Sequence, residues 1–157
     1  LTHDVIEDES RRWNVHNTFE RLLGLGVIPI VNENDTVAVD EIKIGDNDTL
    51  SAVVAKLTEA DALVILSDID GLFTANPATT SDAKLIPVVD KIDEELFAIA
   101  GGAGSNRGTG GMQTKLTAAK LAGEAGIVTA IINGSRPALL YDLLDGKSVG
   151  TRFELKG

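Results

Sequence analysis

Cysteine is absent from the 157 residues, which excludes disulfides and thiolate metal ligands. Positive charge is in deficit: 14 Lys and Arg stand against 24 Asp and Glu, for a net charge of −10. A field of that sign repels nucleic acid and anionic lipid, so neither is an expected partner of this chain. It also repels phosphorylated ligands, so any phosphate site must be local and is expected to use a divalent metal. No apolar run approaches a membrane span, and Leu1-Thr2-His3-Asp4 does not open a signal peptide. A cytoplasmic setting is the expectation. The initiator methionine is also lacking, so the chain reads as a piece of a longer protein. His3 and His16 are isolated and read as surface or local packing residues. No serine has a His/Asp pattern around it. No G-x-G-x-x-G occurs. Gly146-Lys147-Ser148 ends like a P-loop but has Tyr141 where the leading glycine belongs. Asp68-Ile69-Asp70-Gly71 lacks the later glutamate of a calcium loop. The sequons at Asn34, Asn47 and Asn133 read as incidental without a secretory signal.

What is present supports a packed fold. Apolar residues make up 43% of the chain, enough for one domain with a sizeable core. Residues 4–25 predict a helix, with Trp13, Phe19, Leu22 and Leu23 near one face and Gly24 and Gly26 at its end. Val27–Val31 reads as a buried strand despite Pro29, and Glu41–Ile44 as a short one. A helix is predicted over 49–58, capped by Asp48 or Thr49. Ala62–Leu66 is the clearest strand, followed by a strand at 84–89 and a helix at 92–100. A glycine-rich loop at 101–111 leads into a helix over 114–125, then a strand at 128–132. Pro137 suits the start of a helix to Leu144, and residues 149–155 read as an edge strand. This alternation predicts an α/β fold, with a mainly parallel sheet sandwiched by helices.

In such folds ligands bind at the carboxyl ends of the strands. The polar residues after the three apolar strands would collect there: Asn32, Glu33, Asn34 and Asp35; Ser67, Asp68 and Asp70; Asn133, Gly134 and Ser135. Gly45-Asp46-Asn47-Asp48 and Gly108-Thr109-Gly110-Gly111-Met112-Gln113-Thr114-Lys115 would join them. A glycine-rich loop opening into a helix suits an anion, and a bound anion would explain Lys115 in a first turn that disfavours cations. Read alone, the loop is equally a flexible linker capped by Thr114, and Asp46-Asn47-Asp48 reads first as a helix cap. Together the carboxylates, amides, anion cradle and lysine fit phosphoryl transfer, which depends on positioning and charge stabilisation.

Four stretches in this order and spacing, Val31–Asp35, Gly45–Ala52, Leu66–Thr74 and Gly108–Lys115, resemble the glutamate 5-kinase branch of the amino acid kinase family. The resemblance runs from about residue 1 to 155. It implies ATP-dependent phosphorylation of the L-glutamate γ-carboxylate to L-glutamyl 5-phosphate, the first step of proline biosynthesis. It implies Asp35 and Asn47, with Asn32 beside them, as the glutamate site, and Ser67 and Asp68 as part of the nucleotide site. Thr109, Gly110, Gly111, Met112, Gln113, Thr114 and Lys115 would wrap the ATP phosphates. Lys115 would be catalytic, with Asp48 orienting it, and Mg²⁺ would bridge the phosphates. It further implies homo-oligomers and feedback inhibition by proline. Family members begin with a strand bearing a lysine and a glycine-rich turn, and many end in an RNA-binding-like domain; neither pattern is found here. The chain is therefore expected to be the C-terminal portion of a kinase domain, incomplete at its N-terminus. The alternatives are a non-catalytic nucleotide-binding or oligomerisation fragment, and a family member with another acceptor.

Overall fold

A computed structural model describes residues 1, 8–32, 46–101 and 111–155. Helix α1 (Glu9–Gly24) starts at Asp8, whose side chain accepts a hydrogen bond from the Arg11 N–H at 3.0 Å. Gly26, at φ 72°, turns the chain out of it. Phe19 is the residue this helix buries, while Trp13 stays 62% exposed. The run Val27–Val31 was expected to be a buried strand. It forms no strand, and Ile28 and Ile30 are 87% and 98% exposed. An apolar run becomes a buried strand only beside a partner, and the described residues place none next to it. The predicted strand at 41–44 and the predicted start of the first helix lie wholly or largely outside the described residues.

Helix α2 (Asn47–Leu57) is capped by Asp46, whose carboxylate accepts from the Thr49 N–H at 2.7 Å and from the Thr49 hydroxyl at 3.2 Å. The cap is thus neither Asp48 nor Thr49, and Asp48 is left free in the first turn for another task. Leu50, Ala52, Val53, Ala55 and Leu57 form its buried face. After four intervening residues the chain enters strand β1 (Ala62–Ser67). The predicted strand at 84–89 shrinks to β2 (Val88–Val89), because Pro87 has no N–H for a ladder. Upstream of it, Leu85 only bridges back to Phe73. Helix α3 (Glu94–Ala100) is capped by Asp93. The bond from the Leu96 N–H is the main cause holding the Asp93 carboxyl below its ordinary value, with Lys91 adding to it.

Helix α4 (Met112–Gly123) is followed by β3 (Val128–Asn133), with Gly126 at φ 75° in the turn between them. Helix α5 (Leu139–Leu144) begins two residues after Pro137 and not on it. The last strand, β4 (Thr151–Phe153), was expected at a sheet edge. It lies inside: the order is β1-β3-β4-β2, with β1–β3 and β4–β2 parallel and β3–β4 antiparallel. Strand order is set by tertiary pairing, which a local apolar pattern does not encode. The sheet is therefore mixed, with two parallel pairings of three.

Position in the sheet explains the burial patterns. Central β3 has four consecutive buried residues, whereas β1, an edge strand among the described residues, alternates, leaving Leu66 51% exposed. Helices α2 and α4 pack against each other and against β1 and β3, with α3 beside α4. Leu116, Ala118, Ala119 and Ala122 of α4 meet Leu63, Ile65, Ile131 and Phe153 in one core. Full burial of each large apolar side chain contributes about 1.5–3 kcal/mol. Thr151 ties the long loop after β1 into this core. Its hydroxyl accepts from the Leu72 N–H at 2.8 Å and donates to the Ile86 carbonyl at 2.7 Å.

Candidate active site

Two helix starts meet at one edge of the sheet. Each of α2 and α4 turns back within a few residues into the strand it packs on, so each runs antiparallel to that strand. Their N-termini therefore lie at the carboxyl ends of β1 and β3, where the first-turn N–H groups lack intrahelical acceptors. Asp48 comes from the first turn of α2, and Lys115 from the first turn of α4. Lys115 Nζ donates to Asp48 Oδ2 at 3.0 Å, and the two side chains are only 11% and 15% exposed. The Thr114 hydroxyl lies 2.7 Å from the same Oδ2. A carboxylate suits a helix N-terminus and an ammonium does not. Asp48 thus supplies an anionic partner for Lys115 without any bound anion.

Around this pair the predicted site residues divide into groups. Asn47 is exposed beside Asp48 at the start of α2, and Asn32 is exposed at the end of the described segment 8–32. Gly111 is the N-cap of α4 and Thr114 is not, so the reading of Thr114 as cap fails. The Met112 side chain packs against the core, and the Gln113 amide reaches the Phe97 carbonyl at 3.4 Å. Their backbone N–H groups belong to the first turn of α4, which lacks intrahelical acceptors. Asp35, Thr109 and Gly110 lie outside the described residues.

The other part of the edge is built where β1 and β3 end side by side, Ser67 opposite Asn133. Ser67 is buried, and its hydroxyl donates to Asp68 Oδ1 at 3.3 Å. Its carbonyl accepts from the Gly134 N–H at 2.8 Å, so the two strand-end loops are joined. Asp70 Oδ1 accepts from the Asn133 amide at 2.9 Å and from the Arg136 guanidinium at 2.5 Å. The Asn133 bond is the largest cause holding the Asp70 carboxyl below its ordinary value; burial opposes it and Arg136 reinforces it. Sequence reasoning missed Arg136, which sits in an ordinary-looking Ser-Arg-Pro turn. The signal available was its place three residues after Asn133, on a loop already marked as ligand-facing.

A separate cavity of about 560 Å³ lies between α1 and the C-terminal end of α2, lined by Trp13, His16, Lys56 and Leu57 among others. It is at the opposite end of α2 from Asp48. There the His16 Nδ1 donates to the Leu57 carbonyl at 2.7 Å, a packing role that matches the sequence reading of His16. Among the described residues no group of three or more His, Asp or Glu side chains is placed to hold a metal ion. Nor is any helix among them long and apolar enough to cross a membrane.

Comparison with known proteins agrees with this architecture. The chain is 54% identical over 153 residues to a glutamate 5-kinase of Clostridium tetani, covering 98% of this chain and 57% of that protein. It is 53% identical over 157 residues to a glutamate 5-kinase of Deinococcus radiodurans, covering 100% of this chain and 43% of that protein. The chain thus spans about half the length of the curated relatives it matches. Among solved structures, a carbamate kinase from Giardia lamblia bound to AMP-PNP superposes with a TM-score of 0.65 at 23% identity, over 90% of this chain and 44% of that one. That likeness concerns the fold. Residues 2–133 match the model of the amino acid kinase family, and the chain belongs to that family.

Proposed function

We propose that the protein containing this chain transfers the γ-phosphoryl group of ATP to the γ-carboxylate of L-glutamate, giving L-glutamyl 5-phosphate in the first step of proline biosynthesis. The observation that carries the reading is the Lys115–Asp48 pair, at 3.0 Å, where two helix N-termini meet at the sheet edge. The 54% identity to a glutamate 5-kinase supports glutamate as acceptor.

In this reading a glutamate carboxylate oxygen attacks the γ-phosphorus in line. The new P–O bond forms as the bond to the departing ADP oxygen breaks, and ADP leaves with that electron pair. Negative charge on the transferring group is met by the Lys115 ammonium and by the N–H groups opening α4. Asp48 holds the ammonium in place before the phosphoryl group arrives. Asp35, Asn47 and Asn32 hold glutamate, Ser67 and Asp68 contact the nucleotide, and Thr109 to Lys115 wrap its phosphates. Mg²⁺ would enter with the nucleotide as MgATP, where it would neutralise phosphate charge and be held mainly by nucleotide oxygens and water. The chain is then the C-terminal portion of the kinase domain. A cytoplasmic homo-oligomer inhibited by proline belongs to the same reading.

The test is Lys115→Ala in the full-length protein, assayed by ADP release with glutamate, carbamate and UMP as acceptors. The expected result is wild-type activity with glutamate and, in the variant, a fall in kcat far larger than the rise in the glutamate KM. Unchanged turnover would refute the role of Lys115, and preference for another acceptor would refute the substrate.

A further inference from the structure

Thr114 has one hydroxyl proton and two acceptors. Its Oγ1 lies 2.7 Å from Asp48 Oδ2 and 2.7 Å from the Gly111 carbonyl oxygen. A carboxylate and a carbonyl both only accept, so the proton serves one of them at a time. The charged acceptor forms the stronger bond. The Gly111 carbonyl keeps a second donor, the Thr114 N–H at 3.2 Å. Meanwhile Lys115 Nζ donates to the same Asp48 oxygen at 3.0 Å.

We propose that Thr114 is a positioning residue: its hydroxyl holds the Asp48 carboxylate while Lys115 turns from it toward the transferring phosphoryl group. The inference rests on the kinase reading of this site and gives Thr114 a different task from contacting nucleotide. Lys115 has three N–H donors, and turning toward a ligand anion divides the ammonium between that anion and Asp48 and weakens its hold on the carboxylate. The Asp48 side chain is only 15% exposed, and a largely buried carboxylate that loses its counter-ion is strongly disfavoured. A neutral hydroxyl that stays on the same oxygen lowers that barrier without competing for the phosphoryl charge. Because Asp48 opens α2 and Thr114 opens α4, the bond also fixes the two helix starts against each other. Gly111 gives the proton a second resting place at the N-cap of α4, so the hydroxyl couples the end of the glycine-rich loop to the charged pair.

The experiment compares Thr114→Val and Thr114→Ser in the full-length protein with MgATP and L-glutamate. Valine keeps the shape and removes the proton; serine keeps the proton. The expected result for valine is a fall in kcat of at least about tenfold, with both KM values and the MgATP affinity within about threefold, and recovery of most turnover with serine. Wild-type kcat in Thr114→Val overturns the proposal. So does a defect confined to MgATP affinity, which would mark a direct nucleotide contact. A second readout needs no turnover: the urea midpoints of Thr114→Val, Asp48→Ala and the double variant, with Asp48→Leu, which also lacks an acceptor, in its place where alanine does not fold. The two shifts are expected to fall short of additivity, since the second change finds the bond already gone. Additive shifts overturn the proposal. A wild-type protein that phosphorylates no acceptor would sink the kinase reading and with it the catalytic part of this role, whereas additive shifts in an active kinase would sink only the hold of Thr114 on Asp48.

Discussion

Thr151→Val and Thr129→Val make the same chemical change on neighbouring strands, and the structure assigns them opposite signs. Both side chains are fully buried, and valine replaces a hydroxyl by a methyl of similar size. Thr151 serves two backbone groups, the Leu72 N–H and the Ile86 carbonyl. Valine leaves both without that partner. Each unsatisfied buried group costs about 1–3 kcal/mol. Leu72 is buried and Ile86 is half-buried, so the sum comes to about 2–4 kcal/mol after some relief by water at Ile86. At Thr129 the hydroxyl oxygen has no hydrogen-bond partner among the described residues. Removing it relieves a desolvation penalty and stabilises by about 1 kcal/mol. For a folding unit of this size 1 kcal/mol moves Tm by about 2–4 °C. Thr151→Val is expected to lower Tm by about 5–15 °C and Thr129→Val to raise it by about 2–4 °C. Thermal and urea unfolding followed by far-UV circular dichroism measure both. Two shifts of the same sign and similar size would refute the hydrogen-bond assignment at Thr151.

Three further outcomes are expected. Lys115→Met leaves the Asp48 carboxylate in a largely buried place without its cation, and urea unfolding should show a loss of about 2–4 kcal/mol, partly offset by the Thr114 bond. Gly71→Ala puts a Cβ 2.6 Å from Thr151 Oγ1 at a φ of 154°, so a loss of about 2–4 kcal/mol should appear in the same assay. The Asp70 carboxyl titrates below its ordinary value, so its contribution is present above the unfolded carboxylate pKa, about 4, and is lost as pH falls through the lower folded value. With both partners about half exposed, the contribution is below about 1 kcal/mol. Wild type and Asp70→Asn should differ at pH 6 and converge as the pH approaches 2; a constant difference would contradict the pairing.

Local features of the fold were legible where the chain's own pattern decides them. Continuous apolar runs marked β1 and β3, and Gly126 marked the end of the helix before β3. The site pair was less accessible. Asp48 and Lys115 are 67 positions apart; family resemblance assigned them related tasks, and only the packing of α2 on α4 brings them into contact. Val27–Val31 shows the converse limit: its composition reads the same whether or not a strand lies beside it. Asp46 displaced Asp48 as the cap because one carboxylate reached both the Thr49 N–H and its hydroxyl. Competition between two aspartates two residues apart is decided by geometry that spacing does not contain.

The mixed sheet also implies an order of assembly. Ala62 pairs with Val128, and Val88 with Arg152, so each parallel pairing has to close a long stretch of chain before any ladder bond forms. The antiparallel seam between β3 and β4, by contrast, joins Ile131 to Thr151. Loop-closure entropy grows with the length closed, and non-local pairing slows folding. The seam is therefore the sheet contact expected to form first, with β1 and β2 added from either side. Pulse-labelled hydrogen exchange would read this as earlier protection of the β3 and β4 amides than of those in β1, and simultaneous protection would argue against it. The strands whose ends frame the charged pair would then be drawn together late, so the site takes shape only as the sheet closes.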